Sequence, residues 1–203
     1  MDSQQATRLD TPPFSVARFI CEGYEQDPFK QMVVGMNEGI TYAEAYRRMV
    51  ALAGFLRREQ GVGEGDTVMI AALNIVAYFV LIGAIQLAGA TVALMSPTVE
   101  RTEFAGIYDR VHPAVAIVST EAHCRLAAEC SPATKVMTAT CPVDGVLSVE
   151  QAWRGSAAWD GPSFDEDPKF VLFTCMPCSP PDPPARPKRF SCAVRRSAAM
   201  RGS

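Results

Sequence analysis

The sequence predicts an α/β fold, a mainly parallel sheet with flanking helices, and three observations carry that reading. Short apolar segments at 67–71, 90–95, 114–118 and 170–174 alternate with segments of helical length. The segments at 114–118 (AVAIV) and 170–174 (FVLFT) have no polar face, as befits strands covered on both sides of a parallel sheet. Residues 67–95 read strand, helix, strand with the spacing of a βαβ unit. At 203 residues, 48% hydrophobic and 20% charged, the chain is long and apolar enough for one good-sized core.

The elements follow in order. Residues 14–24 come after Pro12-Pro13 and carry Val16, Ala17, Phe19 and Ile20, which predicts a short helix. Residues 32–36 predict a strand. Thr41-Tyr42-Ala43-Glu44 has the form of a capping box, the Thr41 hydroxyl accepting from the Glu44 amide and Glu44 reaching back. The helix it opens should bury Ala45, Met49, Leu52, Ala53 and Leu56 on one face. Arg47, Arg48, Arg57 and Arg58 fall largely off that face, and Glu44 with Arg48 is an i,i+4 pair. Gly61 is a stop signal. Residues 61–66 are a turn-rich link, not a phosphate cradle, because they precede a strand instead of following one.

Asn74 is the expected N-cap of a helix over 75–88, apolar nearly all round and therefore buried, and Gly89 closes it. A strand over 90–95, a helix over 100–110 and a strand over 114–118 follow. Thr120 caps a helix to about residue 129, residues 135–138 form a short strand, and residues 148–153 a short helix. The uncharged run 67–99 has the length of a membrane span. Asn74, Gln86, Gly83 and Gly89 interrupt it, so no membrane span is expected.

Beyond residue 174 the pattern stops. Residues 175–203 hold 6 Lys+Arg against 1 acidic residue, with 6 of the 15 Pro and 3 of the 7 Cys. Proline lacks the amide proton that helices and central strands need, so this Pro/Arg/Cys-rich tail is predicted to be disordered. Residues 1–13 read as a flexible N-terminus without an apolar leader core, and 14–174 as the α/β domain. The net charge of -3 gives no reason to expect nucleic acid as a partner. Cys21, Cys124, Cys130 and Cys141 are too scattered for a metal site and read as free thiols. Cys175 and Cys178 form one CxxC pair, which the two His of the chain, His112 and His123, do not complete as a zinc site. Neither His has a nucleophile and an acid within reach by sequence, and Asp165-Glu166-Asp167 reads as a solvated loop.

Thr41-Tyr42, Gly61-Val62, Gly65-Asp66, Val68, Asn74 and Leu87-Ala88-Gly89-Ala90 together resemble the opening of the adenylate-forming (AMP-binding) acyl-CoA synthetase superfamily. Ser96-Pro97 followed by Glu103-Phe104 is most similar to its 4-coumarate–CoA ligase and luciferase branch. Asp167-Pro168 followed by residues 170–174 is similar to the strand that leads into the family's phosphate loop, so the resemblance covers about 14–174. It implies that Thr174 is the vestigial first residue of that loop and a cofactor-binding position. In place of the Ser-Gly-Thr-Thr-Gly motif that the family shows next, this chain reads Cys175-Met176-Pro177-Cys178-Ser179-Pro180-Pro181. A shifted frame, a misplaced exon boundary or alternative splicing after Thr174 each account for the change.

The resemblance therefore implies an incomplete N-terminal domain of an ATP-dependent acid–CoA ligase, truncated at the phosphate loop and inactive alone. No catalytic or metal residue is assigned, and no cofactor is expected for this chain. ATP, Mg and coenzyme A, with a carboxylic acid substrate, are implied for the full-length family. The alternative is a non-catalytic short form acting as an interaction or regulatory module, self-associating through an exposed sheet edge. The expected setting is fatty acid or phenylpropanoid metabolism in the cytoplasm, or in peroxisomes if a full-length form carries that signal.

Overall fold

The structure is a computed structural model that describes residues 15–34, 39–72, 77–139 and 142–158, with the backbone alone of 170–173. Helix α1 (Val16–Gln26) starts where the Ser15 hydroxyl accepts from the Arg18 amide. Strands β1 (Gln31–Val34) and β2 (Gly39–Thr41) pair antiparallel, with a bulge between Gln31 and Val33. The strand expected at 32–36 is thus β1, one residue earlier, and its short partner β2 carries no sequence pattern of its own.

Thr41 caps α2 (Tyr42–Arg58), its hydroxyl accepting from the Glu44 amide at 3.3 Å. Only this half of the expected capping box forms. Two guanidinium groups, those of Arg47 and Arg48, hold the Glu44 carboxylate instead, because charge-assisted bonds outcompete a single neutral amide. The predicted inner face of α2 is fully buried, with Ala45, Met49, Leu52, Ala53 and Leu56 all at 0% exposure.

Among the described residues, six strands form one parallel sheet: β3 (Thr67–Ala71), β4 (Thr91–Met95), β5 (Val115–Val118), β6 (Lys135–Thr138), β7 (Leu147–Ser148) and β8 (Phe170–Phe173). Their order is β7-β6-β5-β3-β4-β8. β7 has two residues, so five full strands carry the sheet. The connecting helices are α3 (Tyr78–Leu87), α4 (Arg101–Val111), α5 (Glu121–Cys130) and α6 (Val149–Gly155). The uncharged run 67–99 is therefore strand, helix and strand, and no helix among the described residues is long and apolar enough to cross a membrane.

Strand alternation divides the core in two. Val68, Ile70, Val92, Val115 and Ile117 face one way, packing with α1, α2, α3 and α6. Met69, Ala71, Ala93, Ala116 and Val118 face the other way, with Phe104, Ile107 and Tyr108 of α4 and Leu126 and Ala127 of α5. Each large side chain so buried contributes about 1.5–3 kcal/mol. In α3, Val80 to Gln86 are all buried, as its apolar circumference requires. Gln86, the polar exception, accepts from the Ala17 amide at 3.1 Å and so closes the start of α1. The described start of α3 differs from expectation: its N-cap is Ala77, with no side-chain cap, and Asn74 lies outside the described residues. Gly89 ends the segment at φ 82, and His112 ends α4 in the left-handed region at φ 44.

Candidate functional site

In a parallel sheet the loops leaving the strand C-termini converge on one rim, and binding sites form where neighbouring loops diverge to opposite faces. Here β3 leads to α3 on one face, while its neighbours β4 and β5 lead to α4 and α5 on the other. The divergence therefore falls at the ends of β3, β4 and β5. β8 lies beside β4 with Met95 opposite Phe173, so the chain leaves both strands at this same rim. Thr174, the one predicted site residue, follows Phe173 in sequence and lies outside the described residues. The same is true of Asp165-Glu166-Asp167, the CxxC pair and the tail from 175.

Four hydroxyl side chains follow β4 and β5 on this rim. Ser96 Oγ and Thr98 Oγ1 are 2.8 Å apart, and the Thr98 amide donates back to Ser96 Oγ at 3.2 Å. Ser119 is buried, its amide bonded to the Ala71 carbonyl. Thr120 caps α5 as predicted, accepting from the His123 amide at 3.1 Å. The His123 ring meets Thr120 Oγ1 at 3.0 Å through Nδ1, hydrogen-bonds the Val99 backbone and stacks on Phe104 with centroids 5.3 Å apart. Burial pushes this imidazole below its ordinary value, opposed by the Val99 carbonyl. The neighbours of this ring are thus a helix-capping hydroxyl, a backbone carbonyl and an aromatic ring. The positive-φ glycines Gly61, Gly65 and Gly89 precede β3 and β4 and so lie at the opposite rim, where Gly61 to Gly65 form the expected turn.

A second concavity of about 810 Å³ lies between α2, α6 and the ends of β6 and α3. The Arg48 guanidinium covers the Trp153 ring at 4.6 Å and bonds Glu44 at 2.5 Å. Burial alone would raise the Glu44 carboxyl, but the bonds and charges of Arg47 and Arg48 outweigh it and hold it below the ordinary range. Arg154 pairs with Glu150 at 2.5 Å. Among the described residues no group of His, Cys, Asp and Glu is placed to hold a metal ion. Sequence reasoning found the Glu44–Arg48 pair from its spacing but not Arg48 over Trp153, which pairs distant parts of the chain. The Thr-x-x-His spacing at 120–123 was the one local hint of the His123 contact.

Residues 22–191 match the family described as AMP-binding enzyme. The chain belongs to that family. Solved structures share the AMP-binding fold at low identity. A benzoate CoA ligase from Burkholderia xenovorans matches with a TM-score of 0.63 at 17% identity, over 72% of this chain and 29% of that one. An anthranilate CoA ligase in complex with anthranoyl-AMP gives 0.69 at 15%, over 83% and 34%. A red-emitting luciferase from Phrixothrix hirtus gives 0.65 at 16%, over 84% and 45%. The chain thus spans less than half the length of each of these structures. No curated protein matches it.

Proposed function

We propose that this chain is the sheet-bearing part of an ATP-dependent acid–CoA ligase and does not carry out the reaction alone. Such an enzyme joins a carboxylic acid to AMP, releasing pyrophosphate, and then transfers the acyl group to coenzyme A. Membership of the AMP-binding family supports the reaction class. The observation that carries the reading is the parallel pairing of β4 and β8, which sets Phe173, the last residue of β8, opposite Met95 at the rim where neighbouring connections diverge. Ser96-Pro97 with Glu103-Phe104 supports the 4-coumarate–CoA ligase and luciferase branch, and with it an aromatic or fatty acid substrate. Cytoplasmic or peroxisomal acid activation is the matching setting.

ATP, Mg and coenzyme A belong to the full reaction, and the described residues do not fit the triphosphate. Among the rim hydroxyls, Ser96 and Thr98 bond each other and Thr120 is engaged by His123. The positive-φ glycines at the starts of β3 and β4 are at the wrong rim. The sequence from Cys175 to Pro181 offers prolines where a cradle of converging amides is needed. Losing one electrostatic contact to a transition state typically costs about 10²–10³ in rate. Calorimetry with ATP and magnesium should show no saturable binding. A carboxylate-dependent ATP–pyrophosphate exchange assay over aromatic and fatty acids should show no signal. Saturable binding in the micromolar range, or exchange above background, overturns the reading.

A second reading, a non-catalytic module, is favoured by one observation: β8 ends the sheet order and is paired on its β4 side alone among the described residues. Concentration-dependent association in sedimentation, abolished by a proline at Leu172, supports it.

A further inference from the structure

We propose that residues 180–189 of this chain, which lie outside the described residues, dock on a row of aromatic rings between α1 and α2, their basic side chains meeting the acidic last turn of α1. Two ring pairs build the row. Phe19 of α1 and Tyr42 of α2 meet edge to face with centroids 5.7 Å apart, and Tyr24 stacks on Tyr46 at 4.5 Å. Tyr42 and Tyr46 stand one turn apart on α2, and the Tyr42 ring occupies the place where a Cβ at Gly23 would stand. Phe19 and Tyr24 are 39% and 38% exposed, so the row is open to solvent. Phe29, 84% exposed, extends it, because the Pro28 and Lys30 carbonyls accept from the Ala43 and Tyr42 amides and hold this segment along the start of α2.

Glu22, Glu25 and Asp27 are exposed at the C-terminal end of α1, whose last turn holds no basic residue. They stand at the negative end of the helix dipole, where a cation is favoured and a carboxylate is not. Among the described residues no ion pair reaches them, and Asp27 accepts from the Phe29 amide. The basic residues on these elements are Arg18, in the first turn of α1, Lys30, and Arg47 and Arg48, which Glu44 holds. Residues 180–189 suit both halves of this surface. Pro180, Pro181, Pro183, Pro184 and Pro187 favour the extended polyproline form that aromatic-lined grooves bind. Arg186, Lys188 and Arg189 outweigh Asp182 in the same segment. The chain also reaches. The Ala17 amide bonds Gln86, and Ile20 Cδ1 lies beside Gly83, so α1 runs antiparallel to α3. Helix α3 leaves the rim where β3 ends, so the last turn of α1 points back to that rim, where β8 ends too. Residues 174–179 span up to about 20 Å when extended, roughly two helix diameters.

At the melting temperature a surface contact of this kind is already open, so cross-linking of the full chain at room temperature is the test. A water-soluble carbodiimide joins Lys188, the one lysine of residues 175–203, to the carboxylates it touches. At low salt, links to Glu22, Glu25 or Asp27 should exceed those to the exposed Glu64, Glu100 and Asp109 by about tenfold, and about 0.5 M salt should bring the two sets level. Pro180→Ser, Pro181→Ser, Pro183→Ser and Pro184→Ser together should lower the α1 links at least about threefold, since prolines reduce the cost of ordering the segment. Links spread evenly over the two sets in the parent chain overturn the docking, and this arm needs no variant to fold. An unchanged yield in the serine variant overturns docking on the rings. Links found only between heavy-isotope and light chains in a mixture place the segment on a second copy, and overturn the assignment as well. None of these outcomes bears on ATP binding, so the docking and the proposed function fail separately.

Discussion

Cys21 shows how far one side chain's chemistry can depart from its type. Burial, then the charges of Glu25 and Glu22, push its thiol up to about 11. Thiolate is the reactive form, and its fraction near neutral pH falls about a hundredfold from that of a free thiol, partly offset by higher intrinsic nucleophilicity. Alkylation of Cys21 at pH 7.5 should run at least about tenfold slower than that of a free cysteine, read by mass spectrometry of the modified peptide; a rate equal to free cysteine contradicts the assignment. Glu44 works in the opposite direction. Its carboxyl is held below the ordinary 4.5 by Arg47 and Arg48, so its stabilisation is present above 4.5 and fades as pH falls through the lower folded value. Glu44→Gln should cost about 0.5–1 kcal/mol at pH 7 and nothing further in acid. Urea titrations at pH 7 and pH 3 check this, and an unchanged gap between variant and parent at pH 3 counts against it.

At the scale of elements, close approach between helices matters more than helix propensity. A Cβ at Gly83 of α3 would lie 2.7 Å from Met49 Sδ and 3.2 Å from Ile20 Cδ1, so α1 and α2 both crowd this position. Gly83→Ala should destabilise by about 1–2 kcal/mol in spite of alanine's better propensity, since the sulfur can yield only in part. Gly106 of α4 has nothing within 4 Å of its missing Cβ. Gly106→Ala should therefore stabilise by about 0.5–1 kcal/mol. Thermal melts of the two variants should move in opposite directions; a shared direction means that propensity or packing alone governs both. These elements were legible in sequence where contiguous residues decide. Thr41 and Thr120 cap helices as expected, while Ser148, read in sequence as the first residue of its helix, caps it instead through a capping box with Gln151. β2 and β7 were not legible, because strands of three and two residues are too short to show a period. The Arg48–Trp153 and Val99–His123 contacts were not legible either. Each joins segments that only packing brings together.

For the whole molecule, the position of β8 sets the design. The last strand among the described residues lies beside β4, across the sheet from β6 and β7, which precede it in sequence. Its four register pairs with β4, from Val92 with Phe170 to Met95 with Phe173, give β4 a neighbour on both sides. Ending the chain at residue 169 should lower stability by about 2–4 kcal/mol, a few ladder bonds at about 1 kcal/mol each. Ending it at 174 should leave the melting temperature unchanged. Guanidinium denaturation of both truncations decides, and equal stability of the two means that β8 adds nothing to the sheet. The sequence by itself determined the α/β class, the buried strands, the helix caps and the break in composition after Thr174. All of these depend on neighbours a few residues apart, through the periods of helix and strand and through the side-chain chemistry of the caps. Only the tertiary structure decided the strand order, the division of the core between two faces, and which loops share a rim. Those follow from burying apolar area between segments distant in sequence, and many pairings of equally apolar strands satisfy the local rules until the whole sheet is packed.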